Sequence, residues 1–327
     1  TGHSVAAIPT GNSLPRLRFL VPDRSDLPPP SRYASLNYGG TKRLVGYTEA
    51  SRGCKHHCTH CPVVPIYKGQ FRVIPVEVVI EDVRCQVDRG VQHITFGDPD
   101  FFNGIGHALR VIESIADNFS DLTYDVTIKI EHLLQHSDQL ARLRDTRCLF
   151  VTSAVESFDD DVLSALNKGH TAADVRVAVK MCYESGLNLI PTFVAFTPWT
   201  TLESYITFLD TIDELALVHH VAPIQLAIRL LVPDRSCLLT VPEVNACLKP
   251  FDPSRLVHPW RHPDPKVDAL HDEVAALVGR SPMSCRAEIF DDISEAAHRL
   301  VEGSSPVAQH TFRKRAEVPF LNEPWYC

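Results

Sequence analysis

Three cysteines and three histidines fall within the eight residues 54–61, in the stretch SRGCKHHCTHCP that begins at Ser51. The cysteines are Cys54, Cys58 and Cys61, and they follow a Cys-x3-Cys-x2-Cys spacing. Three thiolates on so short a loop can converge on one inorganic centre, such as an iron–sulfur cluster. The same residue types suit zinc, whose usual ligands are cysteine and histidine. A disulfide framework is the third chemistry open to such a dense group of thiols.

The spacing favours an iron–sulfur centre over the other two chemistries. Zinc sites usually pair one Cys-x2-Cys with a second, distant pair. The sequence has no such second pair, so His56, His57 or His60 would have to supply the fourth ligand. Disulfide frameworks belong mainly to secreted domains, whereas residues 1–23 lack the basic start and apolar core of a signal peptide. A cubane cluster usually takes four cysteines, so three would leave one iron open to a small molecule.

The segments around this loop alternate between strand and helix patterns about six times. The predicted strands are RLVGYTEAS (43–51), VQHITFGD (91–98), YDVTIKIEHLL (124–134), CLFVTSAVES (148–157), LNLIPTFVAF (187–196) and PIQLAIRLLVP (223–233). Such alternation predicts an α/β unit over 43–245 with parallel strands and helical crossovers, coiled into a barrel or an open part of one. We expect residues 1–42 to be an extended, proline-rich lead-in, and residues 246–327 to be a C-terminal extension with two helices.

Polar residues recur where the predicted strands end, and parallel barrels carry their chemistry at that edge. These residues are Gly97, Asp98, Glu131, Glu156, Thr197 and Arg229. Lys129 and Glu131 alternate with apolar residues, so both are expected to face the barrel interior. Glu156 follows an apolar strand, where a carboxylate needs a partner.

Structural interpretations of the same residues stay open. Asp98 could cap a helix or a turn. Arg229 could bind a ligand carboxylate bidentately or form a structural ion pair. We expect Lys168 and Arg176 to be solvated helix residues rather than ligand contacts.

The cysteine loop and the segments around it, over about residues 43–240, resemble the radical S-adenosylmethionine (SAM) superfamily. In that family a CxxxCxxC loop follows the first strand of a partial (β/α)6 barrel. It holds a [4Fe–4S] cluster, and the open iron of the cluster chelates the amino and carboxylate groups of SAM. The resemblance implies that Cys54, Cys58 and Cys61 are the cluster ligands and that SAM is the second cofactor.

Three further segments carry the resemblance and imply the SAM contacts. FGDPDFFNG (96–104) stands where the family has a glycine–acid motif that receives the SAM amino group, which implies a role for Gly97 and Asp98. SAVESFDDDVLSALNKGHT (153–171) is similar to the family segment with an acidic SAM contact, here Glu156. LIPTFVAFTPWTT (189–201) looks like the segment that flanks the adenine.

The expected set of SAM contacts has four more members. His60 takes the place of an aromatic residue that the family usually has near the adenine, and its planar ring could stack there. Lys129, Glu131 and Arg229, at the same edge of the predicted barrel, complete the set.

The last residues, FLNEPWYC (320–327), resemble the start of the tail in a radical SAM group named for a terminal Cys-Cys-Ala-Glu-Pro or Cys-selenocysteine-Ala-Glu-Pro motif. That group includes an arsinothricin-biosynthesis enzyme, which transfers an aminocarboxypropyl group from SAM to trivalent arsenic. The resemblance implies a catalytic role for Cys327, because thiols suit a soft, thiophilic element. A terminal cysteine without a role is the alternative.

Composition bounds the remaining partners. The formal net charge is −8 and no run of lysine or arginine forms a phosphate-binding stripe, so nucleic acid is not expected as the main partner. No apolar run approaches the roughly 20 residues that span a bilayer. We expect a cytoplasmic enzyme with a small-molecule substrate and an electron donor such as flavodoxin or ferredoxin.

The sequence thus predicts a radical SAM enzyme, with transfer of a 3-amino-3-carboxypropyl group to arsenite as the favoured reaction. One alternative is hydrogen abstraction by a 5′-deoxyadenosyl radical on a small-molecule or peptide substrate. Another is a non-catalytic protein whose cysteine loop binds zinc, although a scaffold would have no need of Asp98, Glu156 and Arg229 at strand ends. Metal analysis would separate the last hypothesis from the first two. Iron with labile sulfide would support the two enzymatic hypotheses, and zinc would support the non-catalytic one.

Overall fold

A computed structural model describes residues 17–280, 286–302 and 318–322. Within them the strands are β1 (Ser35–Tyr38), β2 (Thr41–Thr48), β3 (Ser51–Gly53), β4 (Phe71–Val73), β5 (His93–Phe96), β6 (Thr123–Thr127), β7 (Cys148–Glu156), β8 (Asn188–Phe193) and β9 (Phe320–Asn322). The α-helices are α1 (Val64–Tyr67), α2 (Val76–Val87), α3 (Ile105–Asn118), α4 (Ile130–Gln135), α5 (Leu140–Asp145), α6 (Asp160–Ala165), α7 (Ala172–Glu184), α8 (Leu202–Glu214), α9 (Pro242–Cys247), α10 (Pro265–Arg280) and α11 (Arg286–Glu302). Short 3-10 helices span Pro30–Arg32, Phe101–Gly104, Ser137–Gln139, Pro223–Leu226 and Cys237–Thr240. Among the described helices, none combines the length and apolar character needed to cross a membrane.

Seven strands form one curled sheet in the order β8-β7-β6-β5-β2-β1-β9. Strands β2, β5, β6, β7 and β8 run parallel to one another, with helices in the connections between them. Strands β1 and β9 pair antiparallel at the edge beside β2, and β3 and β4 form a separate two-stranded ribbon. This α/β arrangement is a partial barrel, so the fold class predicted from the alternation and the resemblance is confirmed.

The core lies between the parallel strands and the helices that cover them. Helix α3 directs Val111, Ile112 and Ile115 into this core. Helices α10 and α11 add Leu270 and Ile293 to the same cluster. The helices of the predicted C-terminal extension therefore share one hydrophobic core with the barrel.

Two predicted strands are shorter in the structure than the sequence pattern indicated. In YDVTIKIEHLL, β6 ends at Thr127 and α4 begins at Ile130, because the buried Ile130 and Leu133 also have helical i, i+3 spacing. In PIQLAIRLLVP, Pro223 starts a 3-10 helix, and the strand-type pairing described there consists of two isolated bridges, a parallel one between Phe196 and Arg229 and an antiparallel one between Pro233 and Val257. The prediction that Lys129 and Glu131 alternate along a strand is therefore wrong: Lys129 is the N-cap of α4, and Glu131 lies in its first turn.

The predicted lead-in contributes a strand to the sheet. Strand β1 pairs with β2 through the turn at Gly39 and Gly40. Both glycines have positive φ, +56° and +70°, which a two-residue hairpin turn of type I′ requires. Residues 35–38 thus form part of the sheet edge rather than an extended tail.

The packing of α3 gives a direct stability prediction. Replacing Val111, which is 0% exposed, by alanine removes two buried methyl groups and leaves a cavity. We expect Val111→Ala to lower the free energy of unfolding by about 2 kcal/mol, from about 0.8 kcal/mol per group plus a cavity cost. Val177→Ala, at a helical position that is 49% exposed, is the matched control and should change it by less than about 0.5 kcal/mol. Equal losses in denaturant unfolding would contradict the placement of α3.

Candidate active site

The three cysteines lie on a loop that is closed at its base by the ribbon of β3 and β4. Gly53 pairs with Phe71 at the end of this ribbon, and the loop 54–70 runs between them. Gly53 has a φ of +87°, and a side chain there would overlap the carbonyl oxygen of Gln70. One residue beyond the ribbon, the Ile74 N–H donates to the carbonyl oxygen of Ala50 at 2.8 Å. The ribbon therefore fixes where the loop begins and ends.

The loop also rests on the segment that follows α6. The Thr59 N–H donates to the carbonyl oxygen of Leu166 at 2.9 Å. The Asn167 side-chain amide donates to the carbonyl oxygen of His57 at 2.9 Å. Backbone hydrogen bonds need no particular loop side chains, so these contacts set the path of the loop and leave its thiols available.

The thiols suit a metal centre. Cys54, Cys58 and Cys61 are not joined in disulfides. Burial raises the pKa of Cys54 and of Cys61, and the nearby Cys58 thiol raises both further. Backbone N–H groups of His56 and of residues 63 and 64 point toward the sulfurs of Cys54 and Cys61 and oppose this rise. Thiolates that are buried close together repel one another, even with N–H donors around them. A cationic centre offsets this repulsion, and a cluster held by the three thiolates supplies such a centre.

Asp98 holds the start of the loop. Its Oδ2 accepts a hydrogen bond from the Ala50 N–H at 2.8 Å, and its Oδ1 accepts one from the Ser51 hydroxyl at 2.6 Å. Burial raises the pKa of Asp98 to about 6. A side chain at the adjacent Gly97 would overlap the Tyr47 hydroxyl, so glycine is required where Tyr47 crosses. Asp98 thus fixes Ser51 of β3, and Gly97 makes room for Tyr47 of β2; the contact of both residues with SAM stays a prediction.

Glu156 forms a buried charge group beneath the loop. Its Oε1 lies 3.3 Å from Lys168 Nζ and 3.0 Å from His60 Nε2. Burial opposes ionisation, yet Lys168 and His60 hold the pKa of Glu156 at about 2. Glu156 has a φ of +72°, which is rare for a residue other than glycine and marks strain at a bulge between β7 and β8. His60 therefore has a carboxylate partner, and its stacking on adenine stays a prediction.

The expectation that Lys168 is solvated is wrong. Its side chain is 3% exposed, because it follows α6 in a turn, with positive φ at Asn167 and Gly169, that returns toward the loop. Arg176 is a solvated helix residue as expected, paired with Glu214 at 2.9 Å on the surface. The signal for Lys168 was the Asn-Lys-Gly tripeptide between two helix patterns, which is typical of left-handed turn residues.

A second polar group lies at the start of α4. Glu131 Oε2 is 3.5 Å from Lys129 Nζ and 3.5 Å from His56 Nδ1. A side chain at Gly169 would come within 2.9 Å of Glu131 Oε2, which places this carboxylate beside the Lys168 turn. Lys129 is buried, whereas the Glu131 side chain is 44% exposed. The polar group around Glu156 and the polar group around Glu131 therefore meet at Gly169.

Two buried residues near this group were not singled out from the sequence. Asp100 lies 3.2 Å from His56 Nε2 and 2.6 Å from His132 Nδ1. Burial opposes ionisation of Asp100, but the two imidazoles hold its pKa at about 2. The available signal was His132 between Ile130 and Leu133, because a histidine on an apolar helix face needs a polar partner.

Arg229 has structural partners. Its guanidinium lies 2.8 Å from Asp268 of α10 and stacks on the Trp260 ring at 3.7 Å from the ring centroid. It also donates to the Trp260 carbonyl oxygen at 3.2 Å. These contacts match the structural ion pair considered above, and a role in binding SAM stays a prediction.

Cys327 lies outside the described residues.

A cavity of about 340 Å³ adjoins Glu156 at the carboxyl ends of β7 and β8. Phe158 and Phe208 contribute apolar surface, and Thr197 and Thr200 contribute hydroxyl groups. Part of its lining comes from the segment 189–201 that the resemblance assigns to the adenine. A planar, hydrogen-bonding group suits such a lining.

Cys58→Ala tests the thiol site. We expect the variant to lose bound iron and acid-labile sulfide while keeping its fold, because two thiols cannot replace three around one centre. Cys85→Ala, at a half-buried cysteine of α2, should retain both. Iron and sulfide per chain, with circular dichroism as the folding check, are the measurements. Unchanged iron and sulfide in Cys58→Ala would remove the loop as the cluster site.

Lys168→Met tests the buried pair with Glu156. Because it leaves a carboxylate buried without its ammonium partner, we expect a loss of about 3–5 kcal/mol in the free energy of unfolding. The double variant Glu156→Gln/Lys168→Met should lose less than the sum of the single losses, since it removes both charges. Lys180→Met, which breaks an exposed 3.8 Å pair with Glu184, is the control and should cost under about 1 kcal/mol. Additive losses at residues 156 and 168 would mean that the two charges do not interact.

Comparison with known proteins identifies the family. The model of the radical SAM superfamily matches residues 48–213, half of the chain. Members of this superfamily use a [4Fe–4S] cluster and SAM, so the predicted cofactors are confirmed.

Individual relatives are distant, and the chain spans about two fifths of the length of the curated relatives it matches. It is 26% identical over 180 residues to the ribosomal protein uS12 methylthiotransferase RimO of Geotalea uraniireducens, covering 52% of this chain and 40% of the relative. It is 24% identical over 181 residues to the tRNA-2-methylthio-N(6)-dimethylallyladenosine synthase of Chlorobium limicola, covering 53% of this chain and 40% of the relative. The solved structure of the cobalamin-dependent SAM radical enzyme OxsB shares the fold, with a TM-score of 0.60 and 15% identity over 72% of this chain and 41% of that one. With its cysteine loop at the carboxyl end of the first parallel strand, this protein belongs to the radical SAM superfamily.

Proposed function

We propose that a reductant supplies one electron to break the Cγ–S bond of SAM, which releases 5′-methylthioadenosine, and that the resulting 3-amino-3-carboxypropyl radical bonds to trivalent arsenic. A second electron and a proton then release one arsenic hydroxyl group as water, so that the arsenic stays trivalent. The observation that carries the first part is that three free cysteines lie on one short loop whose two ends are joined by the β3–β4 ribbon. The second part rests on the resemblance of the last residues to the cysteine-tailed group and on the direction of β9. Family membership supports the enzyme class, and the arsenic acceptor is the finer proposal.

In this proposal Cys54, Cys58 and Cys61 hold the cluster. When bound, it supplies the electron that breaks a C–S bond of SAM. The protein's own contribution is to fix the loop from three sides, through the ribbon, Asp98 and the segment after α6. Fixed ligands keep the SAM sulfur in one geometry.

We assign the charged end of SAM to Glu131 and Lys129. SAM presents an amino group and a carboxylate, which need an acid and a base side by side. Glu131 and Lys129 lie 3.5 Å apart, and the Glu131 side chain is 44% exposed. Asp98 is 2% exposed and both of its oxygens are already hydrogen-bonded. Glu131 is therefore better placed than Asp98 to receive the SAM amino group.

The adenosyl end would lie toward Glu156 and the cavity beside it. Glu156 is fixed by Lys168 and His60, so its charge is balanced before a ligand arrives. The threonine hydroxyls and aromatic surface of the cavity suit the polar edge and the face of adenine. In this arrangement the charged end and the adenosyl end of SAM lie on opposite sides of the cysteine loop.

The direction of β9 supports a role for the tail. Strand β9 is antiparallel to β1, which is antiparallel to β2, so β9 runs with β2 toward the edge that carries the cysteine loop. Ser35 lies opposite both Leu44 and Asn322, which puts Asn322 about 13 Å before the end of β2 at 3.3 Å per residue.

Hydrogen abstraction by a 5′-deoxyadenosyl radical is the second candidate reaction. Two curated relatives support this second reaction over arsenic transfer, because their names specify a ribosomal protein and a tRNA nucleoside rather than an inorganic acceptor. The two reactions break different bonds of SAM and therefore leave different nucleosides.

The test is the nucleoside formed by anaerobically reconstituted protein with SAM and a reductant. We expect 5′-methylthioadenosine above the non-enzymatic background, identified by mass, and a carbon–arsenic product when arsenite is added. Cys327→Ala should keep the nucleoside and lose the arsenic product, whereas Cys247→Ala, at a half-buried cysteine of α9, should keep both.

Each part of this proposal has its own contrary result. Formation of 5′-deoxyadenosine alone would establish the second candidate. Full arsenic transfer by Cys327→Ala would remove the tail from the mechanism. Absence of any SAM cleavage by protein with a full complement of iron and sulfide would overturn the proposed enzyme class.

A further inference from the structure

Three buried ligand atoms converge beside the cysteine loop and are not explained by the cluster. They are Nε2 of His56, Oδ2 of Asp100 and Nδ1 of His132, and all lie within 4.8 Å of one another. The Asp100 oxygen is 2.6 Å from the His132 nitrogen and 3.2 Å from the His56 nitrogen. Their side chains are 12%, 0% and 1% exposed for His56, Asp100 and His132.

The geometry does not satisfy these atoms as hydrogen-bonding groups. Although the distances are short, none of the three atoms has a hydrogen bond of acceptable direction within the described residues. Buried polar atoms in this state cost free energy unless something else satisfies them. A cation between them would satisfy all three at once, because their lone pairs would point at the cation and not at one another.

The rest of the Asp100 carboxylate is fixed. Its Oδ1 accepts hydrogen bonds from the N–H groups of Phe102 and Lys129, at 3.3 and 3.4 Å. This leaves Oδ2 for the two imidazoles. The carboxylate is therefore held by backbone that belongs to the 3-10 helix Phe101–Gly104 and to the start of α4.

Glu131 orients the His56 ring from the other side. Its Oε2 lies 3.5 Å from His56 Nδ1, opposite the nitrogen that faces Asp100. A carboxylate behind a histidine is the usual support for a metal-binding imidazole, since it fixes the ring and raises its basicity. The Lys129 ammonium, 3.5 Å from the same oxygen, offsets the second negative charge.

We propose that His56, Asp100 and His132 form a second metal site, for one divalent first-row cation such as Fe²⁺, Zn²⁺ or Co²⁺. Two imidazoles and one carboxylate are a ligand set that such ions accept. Three protein ligands leave at least one coordination position for water or for an oxygen or nitrogen atom of a substrate. His56 stands between Cys54 and Cys58, so this site shares the loop with the cluster while using none of its thiols.

The rival interpretation is a charged His–Asp–His group without metal, in which an imidazolium shares its proton with Asp100. This interpretation involves the same three residues but predicts that they bind no cation. Metal binding separates the two interpretations and needs neither SAM nor catalysis, so it is also independent of the function proposed above.

The first experiment uses the full-length chain with Cys54→Ser, Cys58→Ser and Cys61→Ser, which cannot hold the cluster. We expect anaerobic titration with Co²⁺ to give visible d–d bands that saturate at about one ion per chain, without sulfur-to-cobalt charge transfer. Adding His132→Gln should abolish these bands. Adding His136→Gln, a histidine four residues further on with its ring centroid 6.0 Å from that of His132, should leave them unchanged.

A second measurement covers the case in which the triple variant fails to fold. In reconstituted protein with its cysteines intact, a [4Fe–4S] cluster contributes equal iron and sulfide, so a second site appears as about one metal ion in excess of sulfide. Asp100→Asn should remove the excess, and Glu131→Gln should weaken it about 10-fold or more. Metal equal to sulfide, or cobalt bands that survive His132→Gln, would overturn the proposal and leave the charged group as the explanation.

Discussion

The cysteine loop has little regular structure of its own, and everything else at this edge of the barrel depends on how it is held. Three thiolates close together repel one another and are costly to bury. Hydrogen bonds within the loop, such as those from the Cys61 and Val64 N–H groups to the carbonyl oxygens of Cys58 and Cys61, shape it locally, and bonds from outside fix its position. These bonds go mainly to its backbone, from the β3–β4 ribbon, from Asp98 beneath its first strand and from the turn after α6. The side chains of the loop are thereby left for chemistry.

Charge balance follows from the same constraint. Three acids near the loop have basic partners: Glu156 pairs with Lys168, Glu131 with Lys129, and Asp100 with two histidines. Glu156 and Asp100 are buried, whereas the Glu131 side chain is 44% exposed. A single buried charge would cost several kcal/mol, whereas a pair with matched geometry reduces that cost. The pairs also keep the loop region from becoming strongly negative once thiolates form. This balance explains why lysines lie inside a barrel whose chain carries a net negative charge.

Much of this arrangement could be predicted from the sequence, and the limits have physical causes. The thiol spacing and the strand–helix alternation are local patterns, so the loop and the fold class could be predicted directly. The burial of Lys168 could not be predicted in this way. A turn at Asn167 and Gly169 sets the direction of its side chain, and the hydropathy pattern does not record that turn. The segment at Ile130 fits a strand pattern as well as a helix pattern, because its apolar residues satisfy both periods. Pairing of Arg229 with Asp268 depends on α10, which is distant in sequence.

Three acids near the strand ends show that position on the barrel does not by itself assign a role. Asp98 accepts hydrogen bonds from an amide and a hydroxyl but forms no ion pair within the described part of the chain, so burial dominates and its pKa rises to about 6. Asp100 and Glu156 are as deeply placed, yet histidine or lysine partners hold their pKa values at about 2. The neutral form of Asp98 can still donate or accept hydrogen bonds within the fold, whereas Asp100 and Glu156 remain anions. Two imidazole nitrogens lie close to one oxygen of Asp100, which is the ligand set of the proposed second metal site, whereas Glu156 is paired with the Lys168 ammonium and with His60 of the loop. Partners rather than strand ends therefore decide which carboxylates take part in cofactor chemistry.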